Sequence, residues 1–249
     1  MQDWPDGYGK RVLASIDSTN AEAARIADHL AGPEWILALE QTAGRGRRGR
    51  AWVNPVGNFA ATLVLHPTEP PEVVALRSFV ASLALYDAFV AVTGRPQGLS
   101  LKWPNDVLLN GGKVAGILLE SVGMARDIRH IGIGIGVNLK EAPGADQVEE
   151  GALRPVSLLS ETGIAVSPEE FLDALAPAYA HHEAQFRIYG FEPIRALWLD
   201  RAARLGEVIT ARSMRDERTG TFETVDAAGN LVLSTAKGRE TIAAADIFF

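Results

Sequence analysis

A short loop rich in arginine and glycine carries the most evident chemistry in this sequence. Gly44 to Arg50 contains four arginines and three glycines, and neither flanking segment continues the pattern. Glycine lets the backbone approach a ligand closely, and the planar guanidinium of arginine matches a carboxylate or a phosphate through two hydrogen bonds. This arginine-glycine loop therefore predicts an anion site. A solvated basic loop or a nucleic-acid patch would show the same residue types, so the loop alone leaves the three interpretations open.

Composition narrows these alternatives. The chain of 249 residues has a formal net charge of −7, so the basic loop is a local feature of an acidic molecule, which favours one small anion over nucleic acid. The absence of cysteine excludes disulfides, thiolate metal ligands and cysteine thioester chemistry, and is compatible with a cytoplasmic location. The N-terminal segment has Asp3 and Asp6 and no apolar run. No uncharged apolar stretch is long enough to cross a bilayer, so we expect neither a signal peptide nor a membrane partner.

A single lysine is the second candidate for anion chemistry. Lys102 ends a short predicted strand and precedes the rigid Trp103-Pro104 step, so its position is set from both sides. A surface lysine at a strand end would look the same. If Lys102 converges with Arg45 and Arg47, three cations offset the repulsion between a carboxylate and a phosphoryl group. Such neutralisation of two anionic reactants is required when ATP activates a carboxylate, with Mg²⁺ on the departing pyrophosphate. Asp106 is a turn residue or a magnesium ligand, and its setting favours the turn.

Periodicity predicts the elements that carry these residues. A strand over Arg11 to Ile16 leads into a polar turn, and a helix follows from Thr19 to about Leu30, with capping-box spacing between Thr19 and Glu22. The turn residues Ser18, Thr19 and Asn20 are N-caps or ligand-binding groups, and their spacing alone does not distinguish these two roles.

Two further strands frame the arginine-glycine loop. Trp35 to Glu40 delivers Gln41 and the loop, and Phe59 to Leu65 is uniformly apolar. The loop therefore hangs between two core strands, a common place for a binding loop.

The middle of the chain predicts one long helix and a hairpin. Apolar residues at helical spacing predict a helix from Val73 to Thr93, and Asn110-Gly111 predicts the turn of a hairpin that ends near Glu120. Ile128 to Asn138 carries glycine at alternate positions, so something, backbone or ligand, should lie close against one face of that strand. From Lys140 to Pro155 the sequence is acidic and irregular.

The last hundred residues change character near residue 206. Helices are predicted from Ser167 to Tyr189 and from Glu192 to Leu205, followed by short strands without helical periodicity. His181 and His182 face different sides of their helix, which disfavours a metal pair. We therefore predict an α+β fold, with a ligand-binding domain over residues 1–205 and a small β-barrel domain over residues 206–249.

Four motifs in this order resemble those of the biotin protein ligases, also called biotin–acetyl-CoA-carboxylase ligases. The resemblance implies a catalytic domain with a mixed β-sheet and helices, class II synthetase-like, and a small C-terminal SH3-like β-barrel. It is strong between about residue 10 and residue 140 and weaker beyond. The motifs are Glu40-Gln41-Thr42-Ala43-Gly44-Arg45-Gly46-Arg47-Arg48-Gly49-Arg50, Lys102-Trp103-Pro104-Asn105-Asp106-Val107, Lys113-Val114-Ala115-Gly116-Ile117-Leu118-Leu119-Glu120 and Gly132-Ile133-Gly134-Ile135.

The resemblance also implies roles for residues. The biotin ureido ring would be held by neutral hydrogen-bonding side chains, which suit its two N–H donors and one carbonyl acceptor. These are Ser18, Thr19, Asn20 and Gln41. The biotin carboxylate and the adenylate phosphate would contact Arg45, Arg47 and Lys102, with Lys102 and Arg47 catalytic. ATP contacts would also include Arg48 and Asn138. Gly136 stands where the family usually has asparagine, so Asn138 is the candidate for the adenine contact.

The implied activity is ATP-dependent and AMP-forming. Biotin would be activated to biotinoyl-5′-AMP and transferred to a lysine of a biotin carboxyl carrier protein domain. The alternatives are a lipoate or octanoate ligase of the related fold and a non-catalytic sensor of biotin or an acyl-adenylate. Regulatory members carry an N-terminal helix-turn-helix domain that the sequence lacks, so we expect no nucleic-acid partner. The identity of the carrier, the metal ligands and the oligomeric state, for which a homodimer is one option, stay open.

Overall fold

The computed structural model describes residues 3–124, 127–144, 153–213 and 216–249. The predicted irregular region from Lys140 to Pro155 lies partly outside the described residues. The helices are α1 (Thr19–Ile26), α2 (Pro71–Ala75), α3 (Arg77–Thr93), α4 (Leu158–Thr162), α5 (Pro168–Tyr189) and α6 (Phe191–Asp200). The strands are β1 (Gly9–Leu13), β2 (Glu34–Ala38), β3 (Phe59–Leu65), β4 (Leu99–Lys102), β5 (Asp106–Leu109), β6 (Gly112–Met124), β7 (Asp127–Val137), β8 (Val208–Arg212), β9 (Glu217–Val225), β10 (Leu231–Thr235), β11 (Gly238–Ile242) and β12 (Asp246–Phe248).

The main sheet has seven strands in the order β1-β2-β3-β7-β6-β5-β4. Within the described residues of this sheet, β1 and β2 run parallel, joined by the crossover through α1, and the other neighbouring pairs are antiparallel. All residues of β3 are buried, because helices cover both faces at the centre of the sheet. The fold class predicted from the sequence, a mixed sheet with helices, is confirmed.

The two faces of the sheet differ in side-chain size. On one face Phe171 of α5 packs against Phe59 and Phe89, each with ring centroids 5.2 Å apart. The other face holds α1, through a small cluster of Ala23, Ala27, Ile36 and Val64. The glycines of β7 lie on this α1 face, since Gly132 pairs with Val64 and Gly134 with Thr62. Small residues at these positions leave room above the sheet beside α1.

A second, five-stranded antiparallel sheet follows in the order β11-β10-β9-β8-β12. It corresponds to the small C-terminal β unit expected from the sequence. The indole nitrogen of the buried Trp103 donates to the Gly229 carbonyl of this sheet at 3.0 Å. The Trp103 step after β4 thus ties the two sheets together beside Lys102.

Three predicted helices have different bounds. The stretch from Val73 to Thr93 is two helices, because the Leu76 amide bonds to the Val73 carbonyl in a tighter turn. The α1 helix ends at Ile26 and continues as a 3₁₀ turn over Ala27–His29. The α6 helix ends at Asp200 rather than Leu205, since the chain then pairs with the edge of β4, where the Leu101 amide donates to the Arg201 carbonyl at 2.8 Å.

The predicted capping box at Thr19 is wrong. Ser18 rather than Thr19 is the N-cap residue, and its side chain makes no capping bond. Thr19 is the first residue of the helix, and its hydroxyl contacts Gln41 and Thr62. The predicted start of the later helix at Ser167 is confirmed, since Ser167 is the N-cap residue of α5 and forms a complete capping box with Glu170. By length and composition the segment Pro71–Thr93 could cross a membrane, but Glu72, Arg77 and Asp87 interrupt it, so it is not an uncharged apolar stretch. An apolar 18-residue stretch of this segment is 67% buried inside the fold, as in the core helix of a globular domain.

Candidate active site

A cleft of about 480 Å³ opens on the α1 face of the main sheet, a volume typical of small-molecule sites. Nearly all residues singled out from the sequence border it. They are Ser18, Thr19, Asn20, Gln41, Arg45, Arg47, Lys102, Asp106 and Asn138. Arg48 is not among the lining residues. The cleft has a neutral end and a cationic end.

The neutral end is built where β1 and β2 deliver two turns side by side. Ile16 and Gln41 form an isolated parallel bridge that brings the turns together. The Gln41 side-chain oxygen accepts from the Thr19 amide at 2.8 Å and lies 3.1 Å from the Thr19 hydroxyl. Because this oxygen is occupied by Thr19, Gln41 has its NH₂ group left to donate to a ligand. Ser18, Thr19 and Asn20 are all at least 90% buried, so an unmade hydrogen bond here is costly.

The glycines of β7 make close approach possible, and a close contact is present, but side chains make it rather than the predicted backbone or ligand. A Cβ atom at Gly134 would overlap the Asn20 amide, and one at Gly136 would overlap the Trp52 indole. Asn20 and Trp52 therefore sit directly on the strand, two residues or roughly 7 Å apart along it. Trp52 lines the cleft and leads from the neutral end to the cationic end, where Lys113 Nζ lies 5.8 Å from the centre of its ring.

The cationic end is organised around one buried carboxylate. Asp106 lies 2.7 Å from Lys113 Nζ and 3.8 Å from Lys102 Nζ. Burial acts to raise the pKa of Asp106, but the two lysines hold it below its ordinary value. Burial lowers the pKa of Lys102, with Asp106 opposing that shift. Asp106 thus anchors two ammonium groups, and both lysines line the cleft.

The arginine-glycine loop reaches the cleft from above. Arg47 Nη1 donates to the Asn105 side-chain oxygen at 3.1 Å, next to the Lys102 turn. Burial lowers the pKa of Arg47, and Asp246 opposes that shift. The predicted convergence of Arg45, Arg47 and Lys102 on one cleft is present in the structure.

The C-terminal sheet contributes to the same cleft. Asp246 on β12 forms ion pairs with three arginines of the loop. The N···O distances are 3.7 Å to Arg47, 2.5 Å to Arg48 and 3.5 Å to Arg50. Asp246 and the two residues after it also line the cleft. Arg48, predicted to contact ATP, is therefore directed at Asp246. The loop and the end of the chain form one wall.

Asn138 lies at the end of β7, 3% exposed. Its side-chain nitrogen donates to the Val156 carbonyl at 3.1 Å. An asparagine at position 136 would displace Trp52, which gives a physical reason for glycine there. The adenine contact of Asn138 stays a prediction.

The surroundings of Asp106 do not favour a magnesium ligand. Its partners are two lysines, and the other carboxylate at the cationic end, Asp246, is held by arginines. Among the described residues, no group of three or more His, Asp or Glu could hold a metal ion. The side chains of this part of the chain therefore do not fit a resident magnesium centre.

Sequence reasoning missed several residues of the site. Lys113 and Glu120 stand at the ends of a motif that was recognised, so a signal existed for both. Trp52 follows the arginine-glycine loop directly. Thr62, fully buried in β3, has its hydroxyl oxygen within hydrogen-bond distance of Asn20 Oδ1 and of the Thr19 hydroxyl beneath the cleft. Nothing in the sequence connects Asp246 with a loop about two hundred positions earlier.

Two family models match the chain. The model of the biotin/lipoate A/B protein ligase family matches residues 12–138, and that of the biotin protein ligase C-terminal domain matches residues 205–249. The first match contains the neutral end of the cleft, the arginine-glycine loop and both lysines. The second contains β12 with Asp246.

Named relatives cover almost the whole chain. A biotin–[acetyl-CoA-carboxylase] ligase of Paracoccus denitrificans is 58% identical, covering 96% of this chain and 99% of the relative. The bifunctional ligase/repressor BirA of Bacillus subtilis is 30% identical over 93% of this chain and 71% of its own length. Among solved structures, the biotin protein ligase of Aquifex aeolicus in complex with biotin and ATP superposes with a TM-score of 0.83. It is 24% identical and the match covers 96% of this chain and 97% of that one, which supports the fold.

Proposed function

The chain belongs to the biotin/lipoate A/B protein ligase family, and we propose that it is a ligase that activates biotin with ATP and attaches it to a carrier protein. The acceptor is a specific lysine of a biotin carboxyl carrier protein domain, as in acetyl-CoA carboxylase. The observation that carries the proposal is the division of one cleft into a neutral and a cationic end. A substrate with a neutral polar ring at one end and a carboxylate at the other matches that division.

The neutral end recognises the ureido ring. Gln41 has its NH₂ group free of Thr19 and donates to the ring carbonyl. Ser18, Thr19 and Asn20 supply further neutral hydrogen bonds in a buried setting, so a ring without matching groups would leave them unpaired. Trp52 covers the path toward the lysines and packs against the apolar part of the substrate.

The cationic end carries out the first step. A biotin carboxylate oxygen attacks the α-phosphorus of ATP, the bond to the pyrophosphate oxygen breaks, and biotinoyl-5′-AMP forms. Both reactants are anionic, and Lys102, Arg45 and Arg47 offset their repulsion. Lys113 stands beside Lys102 on the shared Asp106 and adds a fourth cation. Arg48, which contacts Asp246 in this structure, and Asn138 complete the proposed nucleotide contacts.

The second step is acyl transfer. The ε-amine of the carrier lysine attacks the acyl carbon of the mixed anhydride, loses a proton, and AMP leaves with the electron pair. The arginine-glycine loop covers the intermediate and limits its hydrolysis until the carrier arrives.

ATP enters as its magnesium complex. Because Asp106 and Asp246 are neutralised by lysine and arginine side chains, the metal travels with the nucleotide phosphates. Residues 1–205 form the catalytic domain and residues 206–249 the small C-terminal domain. A cytoplasmic location is part of the proposal, compatible with the absence of cysteine, and nucleic acid and membranes are not proposed partners.

The test is exchange of radiolabelled pyrophosphate into ATP in the presence of candidate acids. Exchange that requires biotin supports the proposal. Exchange with lipoate or octanoate alone would identify a ligase for those acids, and binding without any exchange would identify a sensor. Transfer is scored with a biotin carboxyl carrier domain and with the same domain carrying arginine in place of its acceptor lysine.

A further inference from the structure

A continuous chain of hydrogen bonds lies beneath the neutral end of the cleft. Asn20 Nδ2 donates to Glu120 Oε2 at 2.6 Å, and the Thr62 hydroxyl lies 2.5 Å from Asn20 Oδ1. Thr62 Oγ1 is also 2.8 Å from the Thr19 hydroxyl oxygen, which is 3.1 Å from Gln41 Oε1. The chain thus runs from a carboxylate on β6 to Thr19 and Gln41, two of the residues proposed to hold the ring. Its middle members are buried, with Thr62 at 0% and Asn20 at 8% exposure.

Charge at Glu120 fixes the orientation of Asn20. An ionised carboxylate can only accept hydrogen bonds, so Asn20 must present its NH₂ group to Glu120 and its oxygen to Thr62. The Asn20 amide rests on the bare backbone of Gly134, where a Cβ atom would overlap it. This contact keeps the amide between its two partners.

The orientation of Asn20 then decides where the Thr62 proton goes. A hydroxyl has one proton, and Thr62 has two oxygens within hydrogen-bond distance. Because Asn20 Oδ1 is an acceptor in a buried place, Thr62 donates to it, and Thr62 Oγ1 becomes an acceptor for Thr19. The Thr19 proton is therefore used by Thr62 or by Gln41, both of which accept. Toward the ligand, Thr19 offers only lone pairs.

Glu120 also contacts Arg45, but this contact is weaker than the one with Asn20. Arg45 Nη2 lies 3.4 Å from Glu120 Oε2, and the two side chains are 48% and 37% exposed. Exposed pairs of this kind contribute little. The shorter, partly buried bond to Asn20 is the contact through which Glu120 acts on the site.

We infer that Glu120 is a positioning residue that sets the hydrogen-bond polarity of the ring-binding end, making Thr19 an acceptor while Gln41 donates. This pattern suits a cyclic urea, whose N–H group donates to Thr19 and whose carbonyl accepts from Gln41. The inference rests on the proposed function, since biotin is the cyclic urea concerned. Glu120 touches no substrate and acts through Asn20 and Thr62.

A charge exchange between Glu120 and Asn20 tests the inference. In Glu120→Gln the new amide can face Asn20 with either group, so the chain loses its direction and the dissociation constant for biotin should rise about tenfold. In Asn20→Asp two carboxylates oppose each other, and binding should weaken at least as much. In the double variant the introduced amide donates to the introduced carboxylate, whose other oxygen still accepts from Thr62. The double variant should therefore bind biotin more tightly than either single variant.

Biotin affinity is measured by titration calorimetry, with thermal unfolding of each variant to compare folded fractions. Arg45→Gln provides the matched background: the tenfold effect of Glu120→Gln should persist there, because it passes through Asn20. Losses that add up in the double variant, or an effect of Glu120→Gln that vanishes with Arg45→Gln, would overturn the inference. If the wild-type chain binds no biotin, the proposed function fails first and the inference with it. Wild-type binding with an unaltered Glu120→Gln variant refutes the inference alone.

Discussion

Asp246 holds the arginine-glycine loop to the C-terminal sheet, and we predict that Asp246→Asn releases it. The variant keeps the size of the side chain and the backbone pairing of β12 with β8, in which Asp246 stands opposite Arg212. It removes the charge that faces Arg47, Arg48 and Arg50. The like charges of the loop then repel each other with less compensation from acidic groups.

The size of the effect follows from the exposure of the three pairs. Asp246 is 24% exposed and its arginine partners are between 29% and 45% exposed, so each pair falls among partly solvated ion pairs, worth about 0.2–1 kcal/mol. Together they stabilise the closed loop by about 1–2 kcal/mol, and their loss should raise the population of the open loop by roughly 5- to 30-fold.

Limited proteolysis with trypsin measures that population, since the loop itself offers four arginines. Cleavage of Asp246→Asn within the loop, identified by fragment mass, should be faster than wild type by the same factor when opening is fast relative to cutting. Biotin with Mg-ATP should restore protection, because the phosphate takes the place of the lost carboxylate.

Glu217→Gln is the matched control. Glu217 forms a 2.8 Å ion pair with Arg212 in the same sheet, and both side chains are more than half exposed. It has no part in the loop contacts. Cleavage of Asp246→Asn at the wild-type rate, or equal acceleration by Glu217→Gln, would refute the idea that Asp246 closes the loop.

Three further predictions concern the cleft itself. Lys102→Ala should lower biotin-dependent exchange by about 10²–10³ while biotin affinity changes little. Equal losses in biotin binding and in exchange for Lys102→Ala would contradict this role. Since burial lowers the pKa of Lys102, its charge is lost as pH rises through a value below that of a free lysine. Lys102→Arg should therefore move the alkaline limb of the exchange rate to higher pH. Gln41→Ala should weaken the binding of free biotin by about tenfold or more. Arg47→Gly should leave biotin affinity unchanged but release biotinoyl-AMP, measured as labelling of serum albumin beside the cognate carrier. Absence of albumin labelling by Arg47→Gly would disprove this division of roles between Gln41 and Arg47. Gly134→Ala should displace Asn20, lowering the unfolding free energy by about 1–3 kcal/mol and weakening biotin binding. In Gly132→Ala the nearest neighbour of the added Cβ atom is a Thr62 methyl group at 3.3 Å. This variant should therefore lose less unfolding free energy and less biotin affinity in the same measurements.

The elements were largely predictable because their determinants are local. The apolar run of β3 and the Asn110-Gly111 turn act over a few residues, and the structure places both where the sequence predicts them. The end of α6 was not predictable from its own residues, since the chain leaves the helix to pair with β4, about a hundred positions earlier. Its bounds were set by a tertiary contact.

The residues of the site could also be predicted from the sequence, but the hydrogen bonds and ion pairs between them could not. Motifs identified Lys102, Gln41 and the arginines because the chemistry needs those residue types in compact local patterns. Their protonation and orientation depend on partners that are distant in the chain: Asp106 is neutralised by Lys113 as well as Lys102, and Asn20 is oriented by Glu120.

The sequence by itself determined which functional groups this protein has, because residue types and short spacings are properties of the chain. Alternate glycines in β7 predicted a close contact on one face, but with backbone or a ligand rather than with side chains. Only the tertiary structure decided that Asn20 and Trp52 fill that space and that Asp246 compensates the charge of the loop. The physical reason is that packing and electrostatic pairing act through space, between segments whose separation along the chain carries no information about their distance.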